Sequence, residues 1–101
     1  METYIDALPA ARREVLLDNM RHRNFTSGGR NFLDDYAGGD ERYAAWLILC
    51  EISCSRKIGL GIFDLSDWTW ADAYADGLSP TAAVLGALAS DDTYAALFGA
   101  E

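Results

Sequence analysis

Two pairs of residues in this 101-residue chain have a spacing that invites a chemical reading: the thiols Cys50 and Cys54, and the carboxylates Asp72 and Asp76. Four residues is one turn of helix, so each pair lies on one side with its side chains directed alike. For the thiols this favours two buried, reduced cysteines over a disulfide, whose Cβ atoms must face each other. A structural zinc site needs four ligands, and the single histidine, His22, is remote in sequence. His22 also stands between Arg21 and Arg23, in an arginine-rich segment where a surface position is the ordinary one. Nucleophilic hydrolysis requires a base placed against its nucleophile, and no such pairing is legible. Asp64, Asp67, Asp72 and Asp76 lack the glycine and terminal glutamate of a calcium loop. Ser27-Gly28-Gly29-Arg30 lacks the full Gly-x-x-x-x-Gly-Lys pattern of a phosphate-cradling loop. Asp34-Asp35 and Asp91-Asp92 read as solvated helix starts. The expectation is a protein with no catalytic residue, metal or cofactor.

The acids have a second use, as charge. The chain carries a formal net charge of −8. Its first 30 residues hold five arginines, Arg12, Arg13, Arg21, Arg23 and Arg30, against four acids. From residue 31 onward twelve acids face only Arg42, Arg56 and Lys57, and no base follows residue 57. A one-signed surface attracts basic partners and repels phosphate backbones, so direct nucleic-acid binding by this half is disfavoured. Solubility alone also favours acidic surfaces.

The acids are most informative between Asp67 and Asp76, where they alternate with Trp68, Trp70 and Tyr74. On a helical wheel Trp68, Ala71 and Ala75 share one side, and Trp70 and Tyr74 roughly the other. A surface helix buries one such face, leaving aromatics beside acids in the manner of an interface hot spot. In the alternative arrangement, neighbouring helices cover both faces. Asp72 and Asp76 are separated by about 6 Å along a helix, near the roughly 6.8 Å rise of two nucleotides on one DNA strand. Asp64 and Asp67 add charge upstream, and Asp91 and Asp92 add more from a last helix.

The elements that must position these residues follow from breakers and caps. Pro9 suits the first turn of a helix to about residue 21, with Leu8, Val15, Leu16 and Met20 on one side. Residues 22–29 form a polar loop, and a short helix with Phe32, Leu33 and Tyr36 follows, stopped by Gly38-Gly39. Asp40 caps a long helix, about 40–57, closed by Arg56, Lys57 and Gly59. It is apolar on two faces, Tyr43/Trp46/Leu47/Cys50/Cys54 and Ala45/Ile48/Leu49/Ile52, and polar only near Glu51 and Ser55, so neighbours should bury it. Residues 58–65 are a connector able to form a brief extended piece. Ser66 or Asp67 caps a helix ending at Gly77, Ser79-Pro80 opens one over residues 80–89, and Ser90-Asp91-Asp92 caps a last one with Tyr94, Leu97 and Phe98. The fold class predicted is all-α: a single domain over 1–101, with five or six helices around the buried 40–57 helix. No leader peptide is visible at the start, and the uncharged run over residues 77–90 is too short to span a bilayer. A soluble, cytoplasmic protein without membrane contact is expected.

In size, in its base-free second half and in the run Asp67–Asp76, the chain resembles the small acidic anti-CRISPR proteins of phages, including those that block type I surveillance complexes. The resemblance implies a phage protein acting in a host bacterial cell. It would dock on a lysine-rich surface of a CRISPR-Cas complex and prevent target DNA from binding. Asp64, Asp67, Asp72, Asp76, Asp91 and Asp92 would face the partner's bases, with Trp70 or Tyr74 as apolar anchor. The arginine-rich N-terminal third departs from simple imitation of a duplex. An acidic antitoxin or small regulatory subunit masking another nucleic-acid-binding protein would use the same acids. A nucleic-acid binder would instead use the N-terminal arginines, with the Ser79-Pro80 helix in a helix-turn-helix; net charge opposes it.

Overall fold

The computed structural model describes residues 2–65 and 68–91, and is mostly helical with one small sheet. The first helix, α1 (Tyr4–Ala7), starts where Thr3 Oγ1 accepts the Asp6 N–H at 3.1 Å, and it buries Ile5. α2 (Ala10–His22) follows Pro9, which occupies the N-cap position just outside the helix. Its inward residues are Leu17 and Met20, with Leu16 half-buried, whereas Val15 is 60% exposed. Val15 lies two residues from Leu17, about 160° away around the helix, so the two cannot share a face. The predicted stripe through Val15 is corrected accordingly.

The segment read as a polar loop is an antiparallel hairpin, β1 (Thr26–Ser27) with β2 (Arg30–Asn31), paired Thr26↔Asn31 and Ser27↔Arg30. Gly28 and Gly29 turn it with φ of +59° and +79°, the left-handed pair that suits a two-residue hairpin. Asn24 and Phe25 are also left-handed, at φ 55° and 52°. For a bulky residue this conformation costs about 1–2 kcal/mol. Phe25 is 2% exposed, and burying its ring offsets that cost. The connector over 58–65 takes no extended piece but holds a 3-10 turn, Ile62–Asp64, and the strands of the described residues lie in the hairpin.

Next comes α3 (Phe32–Asp35), capped by Asn31 Oδ1 on the Asp34 N–H, with Phe32 fully buried. α4 (Glu41–Ile58) has the caps expected of it. Asp40 Oδ1 accepts the Tyr43 N–H at 3.1 Å, and Gly59 takes the left-handed position with its N–H on the Ser55 carbonyl. α4 contacts α1, α2, α3, β1, the 3-10 turn and α6. Both of its apolar faces contribute to the core, Ala45 and Ile48 from one and Trp46, Leu47, Cys50 and Cys54 from the other. Leu49 and Ile52 are only half-buried, because no neighbour fully covers that stripe.

α5 (Trp70–Ala75) is shorter than predicted. It begins after Thr69, which makes no side-chain cap, so Trp68 precedes the helix and its place on the helical wheel does not hold. α6 (Pro80–Ser90) opens on Ser79, whose Oγ accepts the Ala82 N–H at 3.1 Å. It packs Ala83, Val84, Ala87 and Leu88 inward. The predicted last helix, and the Ser66 or Asp67 cap, lie outside the described residues.

Candidate protein-binding surface

Aromatic packing fixes where α5 sits. Trp46 of α4 is fully buried and donates its indole N–H to the Leu78 carbonyl at 3.0 Å, tying the chain after α5 to α4. Tyr74 rests on the same bed, 4.8 Å from the Tyr43 ring and 5.4 Å from Trp46. Trp70 meets Trp46 edge-on at 6.4 Å and Trp68 at 4.9 Å. Trp68 lies against α6, where a Cβ on Gly86 would come within 2.8 Å of its ring. Both aromatic sets are therefore covered, and Trp68, Trp70 and Tyr74 are each half-buried. That is the second of the two arrangements expected from sequence. Trp70 and Tyr74 nonetheless keep a partly exposed rim beside the acids. Burial raises the Tyr74 hydroxyl's pKa, and that of Tyr43, so both stay neutral donors.

The acids divide among several places. Asp72 and Asp76 are exposed one turn apart on α5. Neither is in an ion pair among the described residues. Asp76 is the C-cap of α5, where its charge opposes the helix dipole, so the fold gains nothing from its sign. Asp64 is exposed but belongs to another neighbourhood: its Oδ2 accepts the Gly61 N–H at 3.0 Å, and its charge acts on Cys54. Asp91 is 5% exposed, which removes it from an outward acidic surface. Asp67 and Asp92 lie outside the described residues. The structure thus brings Trp70, Asp72, Tyr74 and Asp76 together and separates Asp64 and Asp91 from them. Tyr43 and Trp46, which seat the cluster, were visible in sequence only as core of the long helix.

Several arginines are occupied within the molecule. Arg21 makes ion pairs with Glu41 at 2.8 Å and Asp18 at 2.9 Å, and Arg42 pairs with Asp6. Arg13 donates to the Asp6 and Leu8 carbonyls. Arg30 lies 5.1 Å over the Phe63 ring and donates to Tyr36 Oη at 3.0 Å, with Tyr36 stacked on Phe63. His22 is exposed, its Nδ1 2.8 Å from the Asp18 carbonyl oxygen. Cys50 and Cys54 are free and buried, and burial pushes both thiols up, Cys54 to about 11. Among the described residues no group of three or more His, Cys, Asp or Glu side chains is placed to hold a metal, and no helix is long and apolar enough to cross a membrane.

The chain matches no protein-family model, and comparisons with curated proteins and with solved structures give no significant match.

Proposed function

We propose that this chain is a non-enzymatic inhibitor that binds a basic, nucleic-acid-binding protein surface through the exposed face of α5. One observation carries the reading. Asp72 and Asp76 stand one turn apart, exposed and outside any ion pair among the described residues, on a helix that Trp70 and Tyr74 seat against α4. A rigid seat lowers the ordering cost of binding, and unpaired carboxylates pay no intramolecular partner to leave. The two half-exposed rings give the acids an apolar centre, and the acids in turn fit lysine and arginine pockets built for phosphates.

The surface in question belongs to a CRISPR-Cas surveillance complex of type I in the cytoplasm of a host bacterial cell, and the bound protein blocks target DNA. The scaffold, in this reading, is one helical bundle organised around α4. Asp64, held on the 3-10 turn, contributes only at the margin of the acidic surface. The engagement of Arg13, Arg21 and Arg30 within the molecule favours this reading over nucleic-acid binding by the N-terminal arginines. So does α6, which has no base to place against phosphate.

The test is capture of the partner from host lysate with the wild-type chain and with Asp72→Lys/Asp76→Lys. The wild type retains a basic nucleic-acid-binding protein, and the double variant loses it with its circular dichroism unchanged. Equal capture by both removes α5 from the site. Recovery of a toxin or a polymerase subunit would point to masking of a different protein by the same acids. Clear gel shifts with DNA or RNA at low salt would overturn masking altogether.

A further inference from the structure

A second surface of opposite sign lies on another face of α4. Leu49, Ile52, Ser53 and Arg56 are spaced i, i+3, i+4 and i+7, which aligns them on one side of the helix. Leu49 and Ile52 remain half-buried where the rest of the helix is closed. Three hollows of about 400, 450 and 380 Å³ all reach Ile52. The first is walled by Tyr4 and the opening turn of α6, the second by Leu16, Asn19 and Arg23 of α2 and its end, and the third by Ser27 and Gly28 of the hairpin. They share Ile52 as a common wall, and with Leu49 and Leu16 it gives this groove its apolar floor.

Its rim is cationic. Arg23, Arg56 and Lys57 are exposed, and none is in an ion pair among the described residues, unlike Arg21 and Arg42. The one acid lining these hollows is Glu51, whose Oε1 is already held by the Ile62 N–H at 2.7 Å. The dipole of α4 accounts for the sign of Arg56 and Lys57 in its last turn. Arg23, the C-cap of α2, answers to that helix's dipole in the same way, but neither dipole accounts for the convergence of the three cations on one open apolar floor. The opening turn of α6 is not counted as an anion site, since Ser79 already caps it.

We propose that this groove docks an acidic peptide segment bearing apolar side chains, supplied by a partner protein. Charge complementarity with Arg23, Arg56 and Lys57 sets the sign of the occupant, and Leu49, Ile52 and Leu16 call for apolar side chains between its acids. A nucleic acid fits less well. The net charge of −8 repels a long polyanion, and the floor is aliphatic where unpaired bases need aromatic faces. The groove is separate from the α5 face: its residues point on average about 100° around α4 from Tyr43, Trp46 and Cys50.

The experiment is fluorescence anisotropy of the full chain with a labelled synthetic decapeptide alternating glutamate and leucine. Two further probes replace every glutamate by lysine or every leucine by serine. Saturable binding of the first probe at low salt is expected, with weaker binding of both others. Arg56→Gln/Lys57→Gln, on exposed side chains that leave the fold intact, weakens the first probe about tenfold. Asp72→Lys/Asp76→Lys leaves it undiminished, which keeps this result apart from the fate of the α5 reading. Absence of saturable binding, or equal binding by the Arg56/Lys57 variant, overturns the proposal. A single-stranded oligonucleotide that binds more tightly than the peptide overturns it in favour of nucleic acid. Sedimentation showing self-association that the Arg56/Lys57 variant abolishes overturns it in favour of a second copy.

Discussion

Glu51 reaches from α4 to the connector after it, and its Oε1 accepts the backbone N–H of Ile62 at 2.7 Å. The same carboxylate fills the space beside Gly61, where an added Cβ would lie 2.6 Å from Oε2 and 2.7 Å from Oε1. Ile62 is 1% exposed, so its N–H has little recourse to water once that acceptor leaves. Glu51→Ala is therefore expected to cost about 1–3 kcal/mol, and Glu51→Gln, which keeps an acceptor oxygen, clearly less. Gly61→Ala displaces the carboxylate and falls near Glu51→Ala. Urea unfolding of the three variants measures the order.

A parallel argument holds where Trp68 meets α6. Alanine for glycine inside a helix ordinarily gains up to about 1 kcal/mol. At Gly86 the new Cβ would sit 2.8 Å from the Trp68 ring, which is a rigid plane and not a flexible side-chain end. Gly86→Ala is expected to destabilise by about 1–3 kcal/mol despite the propensity gain, and Trp68→Leu in the same chain to recover part of that loss. Thermal melts of the single and double variants check the coupling.

The cysteines give a prediction of reactivity. Burial, the main cause for each, holds both thiols in the protonated form, with Cys54 at about 11 and Cys50 higher still. The thiolate is the reactive species. At pH 8 the native protein is expected to resist alkylation by iodoacetamide at both positions, and to take two equivalents once unfolded in guanidinium. Labelling of the native protein followed by intact-mass measurement is the check.

Acid stability follows from two surface pairs. The Arg42 guanidinium, through its hydrogen bond, lowers the Asp6 carboxyl below its ordinary 3.8, and Arg21 lowers Glu41 below its ordinary 4.5. A carboxyl depressed by folding contributes stability above its unfolded value, and the contribution is lost as pH falls through the folded value. Stability is expected to decline as pH drops below about 4.5. Arg21→Gln should flatten the Glu41 part of that slope. Both pairs are exposed, so the effect is small and fades with added salt. Urea midpoints from pH 6 to pH 3, at two salt concentrations, test it.

Much of the helical pattern was legible from single residues. Asp40, Gly59 and Ser79-Pro80 mark ends that the backbone respects, because each satisfies helix-terminal groups locally. The hairpin was not legible: its strands are two residues long, too short for alternation to register, and the left-handed turn at Asn24 and Phe25 has no glycine to announce it. At the candidate surface, the pairing of Asp72 with Asp76 followed from helical spacing. The position of Trp68 did not, since a missing cap at Thr69 moved it outside the helix. Asp91 was read as a charged cap and lies buried. The role of Glu51 depends on a contact eleven residues away, which no local pattern encodes.

The tryptophans form one contiguous group, Trp68 on Trp70 and Trp70 on Trp46, and the chain has no others. Excitation absorbed by any indole migrates among all three, so tryptophan emission reports the region where α4, α5 and α6 meet around them. A ligand settling on α5 shifts that emission, whereas an occupant of the groove beside Ile52 leaves it unmoved. The molecule thus carries an intrinsic optical label that tells its two faces apart.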